Sequence, residues 1–129
     1  MKKEFVSYEQ ALALKELGFD EKCYGHYNST QELNTIEDYL KVGADIFMLS
    51  KKFNSEFYMK EMCSAPLKQQ VFRWFREKYD LLCYIRKVGS NYWYNIDIED
   101  GNEFEGRFDT YEEAEDACIN RLIKISKQK

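Results

Sequence analysis

Two stretches of the chain repeat apolar residues with the period of a helix, and a strand-like region lies between them. In residues 67–79 apolar side chains recur every three or four positions. Pro66 precedes them, and proline fits a first helical turn because its missing N–H has no partner there. A second helical stripe covers residues 111–127, preceded by Thr110 and Glu113 at the spacing of a capping box. We therefore predict a helix at each end of this region.

Between the two helices the pattern changes to that of β-strands. Residues 81–88 are rich in strand-forming side chains, residues 92–98 alternate between apolar and polar, and residues 103–108 can return as a third strand. Glycine-containing turns separate the three runs. Residues 66–127 thus predict an α-β-β-β-α unit, an α+β fold with an antiparallel sheet and helices on one face.

The N-terminal part predicts a helix and a strand that extend or cap this layer. Ser7 and Gln10 have the spacing of a capping box, residues 8–17 are strong helix formers, and Gly18 suits the position after a helix. A short strand over residues 22–27 is expected to follow.

Residues 28–65 are the hardest part of the chain to predict. Residues 28–30 have the chemistry of a turn. Helical turns over residues 36–42, and two paired strands over residues 45–49 and 56–59, are the structures that the pattern allows.

Size and composition fit a single domain over residues 1–129. The chain is 44% hydrophobic and 16% aromatic, too apolar for a disordered protein. It has neither an apolar run long enough to span a membrane nor the apolar centre of a signal peptide. We therefore expect a cytoplasmic protein whose thiols stay reduced, because nothing suggests export and a core of this size needs no disulfide. No CxxC pair of a zinc or redox motif occurs among its four cysteines: Cys23, Cys63, Cys83 and Cys118.

Charge argues against nucleic acid as a partner, with one local exception. The net charge is −4, whereas nucleic-acid binding draws most of its affinity from a basic surface. Residues 61–90 nevertheless hold six basic and three acidic side chains. The candidate for nucleic-acid binding is the basic face of the helix at 67–79 with two nearby strand residues: Lys68, Arg73, Arg76, Arg86 and Lys87. The alternative is that this face is solvated and that its charges pair with the acidic C-terminal third of the chain.

The element order of residues 66–127 resembles that of double-stranded RNA-binding domains. Such domains grip phosphates with a basic patch at the start of their last helix. In this chain the corresponding positions are acidic and would repel phosphate, so the resemblance implies a shared shape but not RNA binding: Glu112, Glu113, Glu115 and Asp116.

No group of residues predicts catalysis, a metal or a cofactor. Cys23 and His26 could begin a zinc site, but residues three apart on a strand point to opposite faces. Glycine motifs of nucleotide-binding and hydrolase sites are absent. We therefore predict a protein that is not an enzyme and uses no cofactor. A metal-dependent enzyme is a third hypothesis, although a solvated hairpin tip explains its acidic residues better: Asp97, Glu99, Asp100, Glu103, Glu105 and Asp109.

Trp93 is the predicted contact residue. The alternation of the second strand places it on the face opposite Tyr92 and Tyr94. If the helices cover the tyrosine face, Trp93 is exposed and can anchor an interface. The alternative is a Trp93 packed under an N-terminal segment. We expect a non-enzymatic accessory protein that binds a protein partner or a second copy of itself, with a nucleic-acid-associated protein as the alternative.

Three segments carry a resemblance to a known group of proteins. The segments are LGFDEKC over residues 17–23, APLKQQVFRWFREKY over residues 65–79 and FDTYEEA over residues 108–114. Together they resemble small uncharacterised proteins of bacterial prophages and other mobile elements. The resemblance implies a phage-related origin and a similar fold, and it implies no activity or site residue.

Overall fold

The computed structural model describes residues 2–35, 54, 57 and 59–128, and the chain divides into two compact units, Met1–Leu67 and Lys68–Lys129. Both units mix helix with antiparallel sheet, so the predicted α+β class is confirmed. The described elements, after a short 3-10 turn at Lys2–Glu4, are α1 (Tyr8–Glu16), β1 (Gly25–Tyr27), β2 (Leu33–Thr35), β3 (Cys63–Ala65), α2 (Lys68–Tyr79), β4 (Leu82–Val88), β5 (Asn91–Ile98), β6 (Gly101–Phe108) and α3 (Tyr111–Lys127).

The first helix of the N-terminal unit begins at the predicted capping box. The Ser7 hydroxyl accepts a hydrogen bond from the Gln10 backbone N–H at 3.2 Å, and the Ser7 N–H donates to Gln10 Oε1 at 3.0 Å. The helix ends before Gly18, whose φ of 94° lies in the left-handed region that glycine adopts without strain. The prediction of this helix is therefore confirmed at both ends.

The sheet of the N-terminal unit has the order β2-β1-β3, with all neighbours antiparallel. The predicted N-terminal strand therefore pairs with β2 and β3 and does not extend the sheet of β4, β5 and β6. The predicted strand over residues 22–27 is shorter than expected and begins at Gly25, where a Cβ atom would lie 3.1 Å from the Phe5 ring. The predicted turn at 28–30 is present, since Asn28 Oδ1 accepts from the N–H of Thr30. The elements predicted within residues 36–49, and two of the four residues of the strand predicted over 56–59, lie outside the described residues.

The sheet of the C-terminal unit is a meander in the order β4-β5-β6. Two-residue turns join the strands, at residues 89–90 and 99–100. The pairing of β4 with β5 is unbroken, whereas the pairing of β5 with β6 shifts between Tyr92 and Tyr94. Arg107 lies beside this shift with a φ of 69°, so β6 contains a bulge.

The helices of the C-terminal unit cover one face of this sheet, as predicted. Tyr94 and Ile96 of β5 are buried on that face, and Tyr111 of α3 contacts Tyr92 with ring centroids 6.0 Å apart. One boundary differs from the prediction, because α2 begins at Lys68 rather than in a turn containing Pro66. The Pro66 carbonyl instead accepts a hydrogen bond from Val6 in the extended backbone that follows β3.

None of the described helices is both long enough and apolar enough to cross a membrane.

Candidate functional site

The face of the C-terminal sheet opposite α2 and α3 carries a group of partly exposed apolar side chains. Strand alternation puts Trp93 and Asn95 of β5 on this face. Tyr84 of β4 and Phe104 of β6 both pair directly with Asn95, so their side chains share that face. We call this surface the open face and define it by Leu82, Tyr84, Val88, Trp93 and Phe104.

The Trp93 ring has a fixed place on the open face. It lies flat across Gly106 of β6, where an added Cβ atom would come within 1.9 Å of the ring. Its other neighbour is Phe104, whose ring is stacked at a centroid distance of 6.0 Å and an interplanar angle of 30°. Trp93 is half-buried in this arrangement, so its exposure lies between the two predicted alternatives.

The side chains around Trp93 remain accessible. Phe104 keeps 66% of its surface exposed, and Leu82, Tyr84 and Val88 keep 45–46% each. Arg86, Val88 and Asn95 line a cavity of about 290 Å³ beside the stacked rings. The open face thus combines apolar side chains with the polar Arg86 and Asn95 that lie among them, a mixture that protein interfaces also show.

Of the five residues that define this surface the sequence analysis named only Trp93, and Phe104 is the one whose face a regular strand would have misassigned. Phe104 and Phe108 are four positions apart and would share a face in a regular strand. The bulge adds a residue between them, so Phe104 stacks on Trp93 while Phe108 stacks on Tyr94 on the helix-covered face. Gly106 and the positive φ of Arg107 mark the bulge, and the glycine is the signal that a sequence could have offered.

The structure does not bring the five predicted basic residues onto one face. Lys68 was predicted to lie on the basic face of the helix, but only 5% of its surface is exposed. Its ammonium lies 3.1 Å from the Asp116 carboxylate of α3. The physical reason is that Lys68 opens α2 on the side that packs against α3. Arg86 borders the Trp93 cavity, while the Lys87 ammonium lies 5.9 Å from the Tyr92 ring.

Arg73 and Arg76 do lie together, in a second cavity of about 430 Å³ between α2 and β4. Both arginines are exposed. We call this cavity the basic groove, and it is lined by Gln69, Phe72, Arg73 and Arg76 of α2, residues 83–85 of β4, and Tyr111.

Titratable groups near the start of α3 are partly buried. Burial raises the pKa of the Glu115 carboxyl, although the nearby Lys68 ammonium opposes the shift. Burial also raises the pKa of Tyr111, against the effect of its hydrogen bond to Gln69. The acidic start of α3 is therefore bound to α2 through Lys68 and Gln69.

Three of the six predicted acidic residues, Asp97, Glu103 and Glu105, have structural partners in the sheet and in α3. Arg121 donates two hydrogen bonds to the Glu103 carboxylate, at 2.7 and 2.8 Å, and these lower the Glu103 pKa. The Tyr94 hydroxyl donates to Glu105 at 2.9 Å. Asp97 accepts a hydrogen bond from the Asn95 amide at 3.1 Å.

The residues considered for metal binding, and the cysteine thiols, lie as follows. Among residues 2–35, 54, 57 and 59–128, no three His, Cys, Asp or Glu side chains are grouped so as to hold a metal ion. The Cys23 thiol contacts the Glu21 carbonyl, and the His26 ring lies 5.7 Å from the Phe57 ring. The Cys118 thiol is buried beside Cys83, which raises its pKa.

Comparison of the chain with protein-family models, curated proteins and solved structures finds no match, and the resemblance to prophage proteins therefore stays a prediction.

Proposed function

We propose that this protein is a non-enzymatic accessory protein that binds another protein through the open face of its C-terminal sheet. The observation that carries the proposal is the stacked pair of Trp93 and Phe104 on a sheet face that neither α2 nor α3 covers. Tryptophan is among the residues most enriched at the energetic centre of interfaces, because it buries a large area with few rotatable bonds.

The fixed position of the Trp93 ring favours this role. Gly106 and Phe104 hold the ring in one orientation before any partner arrives. A side chain that is already ordered loses little conformational entropy on binding, so more of its contact energy contributes to affinity.

Charge on the open face favours a protein partner over a nucleic acid. Arg86 lies opposite Trp93 on this face, Asp97 lies opposite Leu82, and the two side chains carry opposite charges. Phosphate binding requires a net positive surface, whereas apolar side chains mixed with groups of both charges are common in protein interfaces.

Site-specific crosslinking tests the proposal in the cells that encode the protein. A photoreactive benzoylphenylalanine replaces Phe104, and the matched control carries it at the exposed Lys124 of α3. We expect a protein adduct from position 104 and none of the same mass from position 124. Adducts of equal yield at both positions would contradict a specific contact at the open face.

Purified partner then allows a quantitative test. Trp93→Ala should weaken binding by about 2 kcal/mol or more, measured by calorimetry. Tyr24→Ser is the control, because Tyr24 is 47% exposed in the N-terminal unit and lies outside the open face. Light scattering over a range of concentrations shows whether the partner is a second copy of the chain. Wild-type affinity in both variants would refute the proposal.

The alternative function, nucleic-acid association, is supported by one observation. Arg73 and Arg76 line the basic groove together with Tyr84 and Tyr111, and arginines beside aromatic rings can bind phosphates and stack on bases. Fluorescence anisotropy with labelled single- and double-stranded DNA of about 20 nucleotides, in about 50 mM salt, tests it. Binding that falls with added salt and is lost in Arg73→Glu would support this alternative, and absence of binding at low salt would exclude it.

A further inference from the structure

Strand β4 is an outer strand with a continuous backbone edge. In the part of the chain that the structure describes, β4 pairs with β5 alone. The pairing runs in unbroken register from Leu82 opposite Asp97 to Val88 opposite Asn91. The other edge of a strand like this presents a row of N–H and C=O groups that can pair with a further extended chain.

The turn between β4 and β5 determines which backbone groups point to that edge. Val88 and Asn91 flank a two-residue turn, and such flanking residues form a hydrogen-bonded pair. Hydrogen-bonded and non-hydrogen-bonded pairs alternate from there along an antiparallel ladder. Cys83 and Ile85 fall in non-hydrogen-bonded pairs, so their N–H and C=O groups point away from β5.

The basic groove runs along this same edge. It is lined by residues 83–85, three consecutive residues of β4. Successive side chains of a strand point to opposite faces, so a groove that touches all three lies along the edge of the strand. Because β5 occupies one edge of β4, the groove lies at the other edge, to which the N–H and C=O groups of Cys83 and Ile85 point. The opposite wall of the groove is formed by residues of α2: Phe72, Arg73 and Arg76.

The second outer strand of the sheet is less suited to pairing. The ladder of β6 is interrupted by the bulge at Arg107, and bulges disturb the regular spacing of edge groups. The unbroken β4 edge is therefore the better template for an added strand.

We propose that an extended acidic segment of a partner protein adds to the outer edge of β4 as a fourth strand and lies in the basic groove. The segment pairs with the backbone groups of Cys83 and Ile85. Acidic side chains on the α2 side of the segment meet Arg73 and Arg76. This site differs from the Trp93 surface, and the proposal does not depend on it.

Charge and backbone chemistry select this occupant over two others. A second copy pairing through its own β4 would add the basic side chains of Arg86 and Lys87 next to a groove that already holds Arg73 and Arg76, which is unfavourable. A nucleic acid could neutralise the arginines, but it has no alternating N–H and C=O groups at strand spacing to pair with Cys83 and Ile85.

The test uses the full chain and a fluorescein-labelled octapeptide of alternating Glu and Val. Fluorescence anisotropy measures its affinity at peptide or protein concentrations up to about 1 mM, and nitrogen–proton correlation spectra locate its contacts. We expect the largest amide shift changes at Cys83 and Ile85. A peptide of alternating Lys and Val should not bind. Methylation of the peptide nitrogens on the edge facing β4 should abolish binding, because it removes the donors that a strand pair needs.

Two charge-reversal variants distinguish binding in the basic groove from general electrostatic attraction to the protein. Arg76→Glu should weaken binding of the acidic peptide by at least about tenfold, while Lys124→Glu on α3 should change it by less than about twofold. Absence of binding at the highest concentration would overturn the proposal, as would full binding of the methylated peptide. A DNA strand of about 20 nucleotides that perturbs the same amides and displaces the peptide at lower concentration would assign the groove to nucleic acid instead.

Discussion

At the scale of single residues, the Trp93 surface depends on the missing side chain of Gly106. A Cβ atom there would lie 1.9 Å from the Trp93 ring, so the ring would have to leave its place. We expect Gly106→Ala to lower the free energy of unfolding by about 1–3 kcal/mol, the usual cost of overpacking. Urea denaturation followed by circular dichroism measures it. In a Trp93→Leu background the same substitution should cost much less, and an equal cost in both backgrounds would show that the ring is not the cause.

Glu103 makes stability depend on pH in a defined direction. Its two hydrogen bonds from Arg121 hold the pKa of the carboxyl below its ordinary value. A lowered pKa in the folded state gives stabilisation that is present above the unfolded value of about 4.3 and is lost as pH falls through the folded value. We expect the urea midpoint of wild type to fall more steeply below about pH 4.3 than that of Glu103→Gln. The exposed Glu99→Gln serves as control and should follow wild type.

At the scale of elements, the capped helices and strand β5 were predictable because their sequence signals are local. The Ser7 cap, the Thr110 cap and the alternation of β5 around Tyr94 are each contained in a few neighbouring residues. The composition of the open face was not predictable, because it depends on the bulge in β6 and on strand register. A bulge changes the facing of every residue beyond it, so Phe104 could be assigned only once its pairing with Asn95 was known.

Lys68 shows that the burial of a polar residue on a helix is also hard to predict from the sequence. Helical periodicity separates polar from apolar positions, but it does not tell which polar side chain meets another helix. Lys68 is buried at the start of α2 and bound to Asp116, so its removal leaves a lost ion pair and a gap. We expect Lys68→Ala to destabilise the protein by about 1–3 kcal/mol, against less than about 0.5 kcal/mol for the exposed Lys124→Ala. Equal losses of stability in the two variants, measured by thermal unfolding, would show that the Lys68–Asp116 ion pair contributes no net stability.

At the scale of the whole molecule, the open prediction is that residues 1–129 unfold as one domain. The described residues fall into two compact units, and both tryptophans, Trp74 and Trp93, belong to the C-terminal one. Tryptophan fluorescence therefore reports the C-terminal unit, while circular dichroism reports both. A single domain unfolds in one transition that all probes share.

A capping substitution in the N-terminal unit tests this prediction. Ser7→Ala removes the cap of α1 and should cost about 1 kcal/mol. If the chain is one cooperative domain, the cost appears as an equal shift of the urea midpoint in circular dichroism and in tryptophan fluorescence. Thr110→Ala, which removes the cap of α3 in the unit that holds both tryptophans, must shift the fluorescence midpoint in either case and is the positive control. An Ser7→Ala shift seen by circular dichroism alone would mean that the two units unfold independently, because a local loss of stability spreads only as far as cooperativity extends.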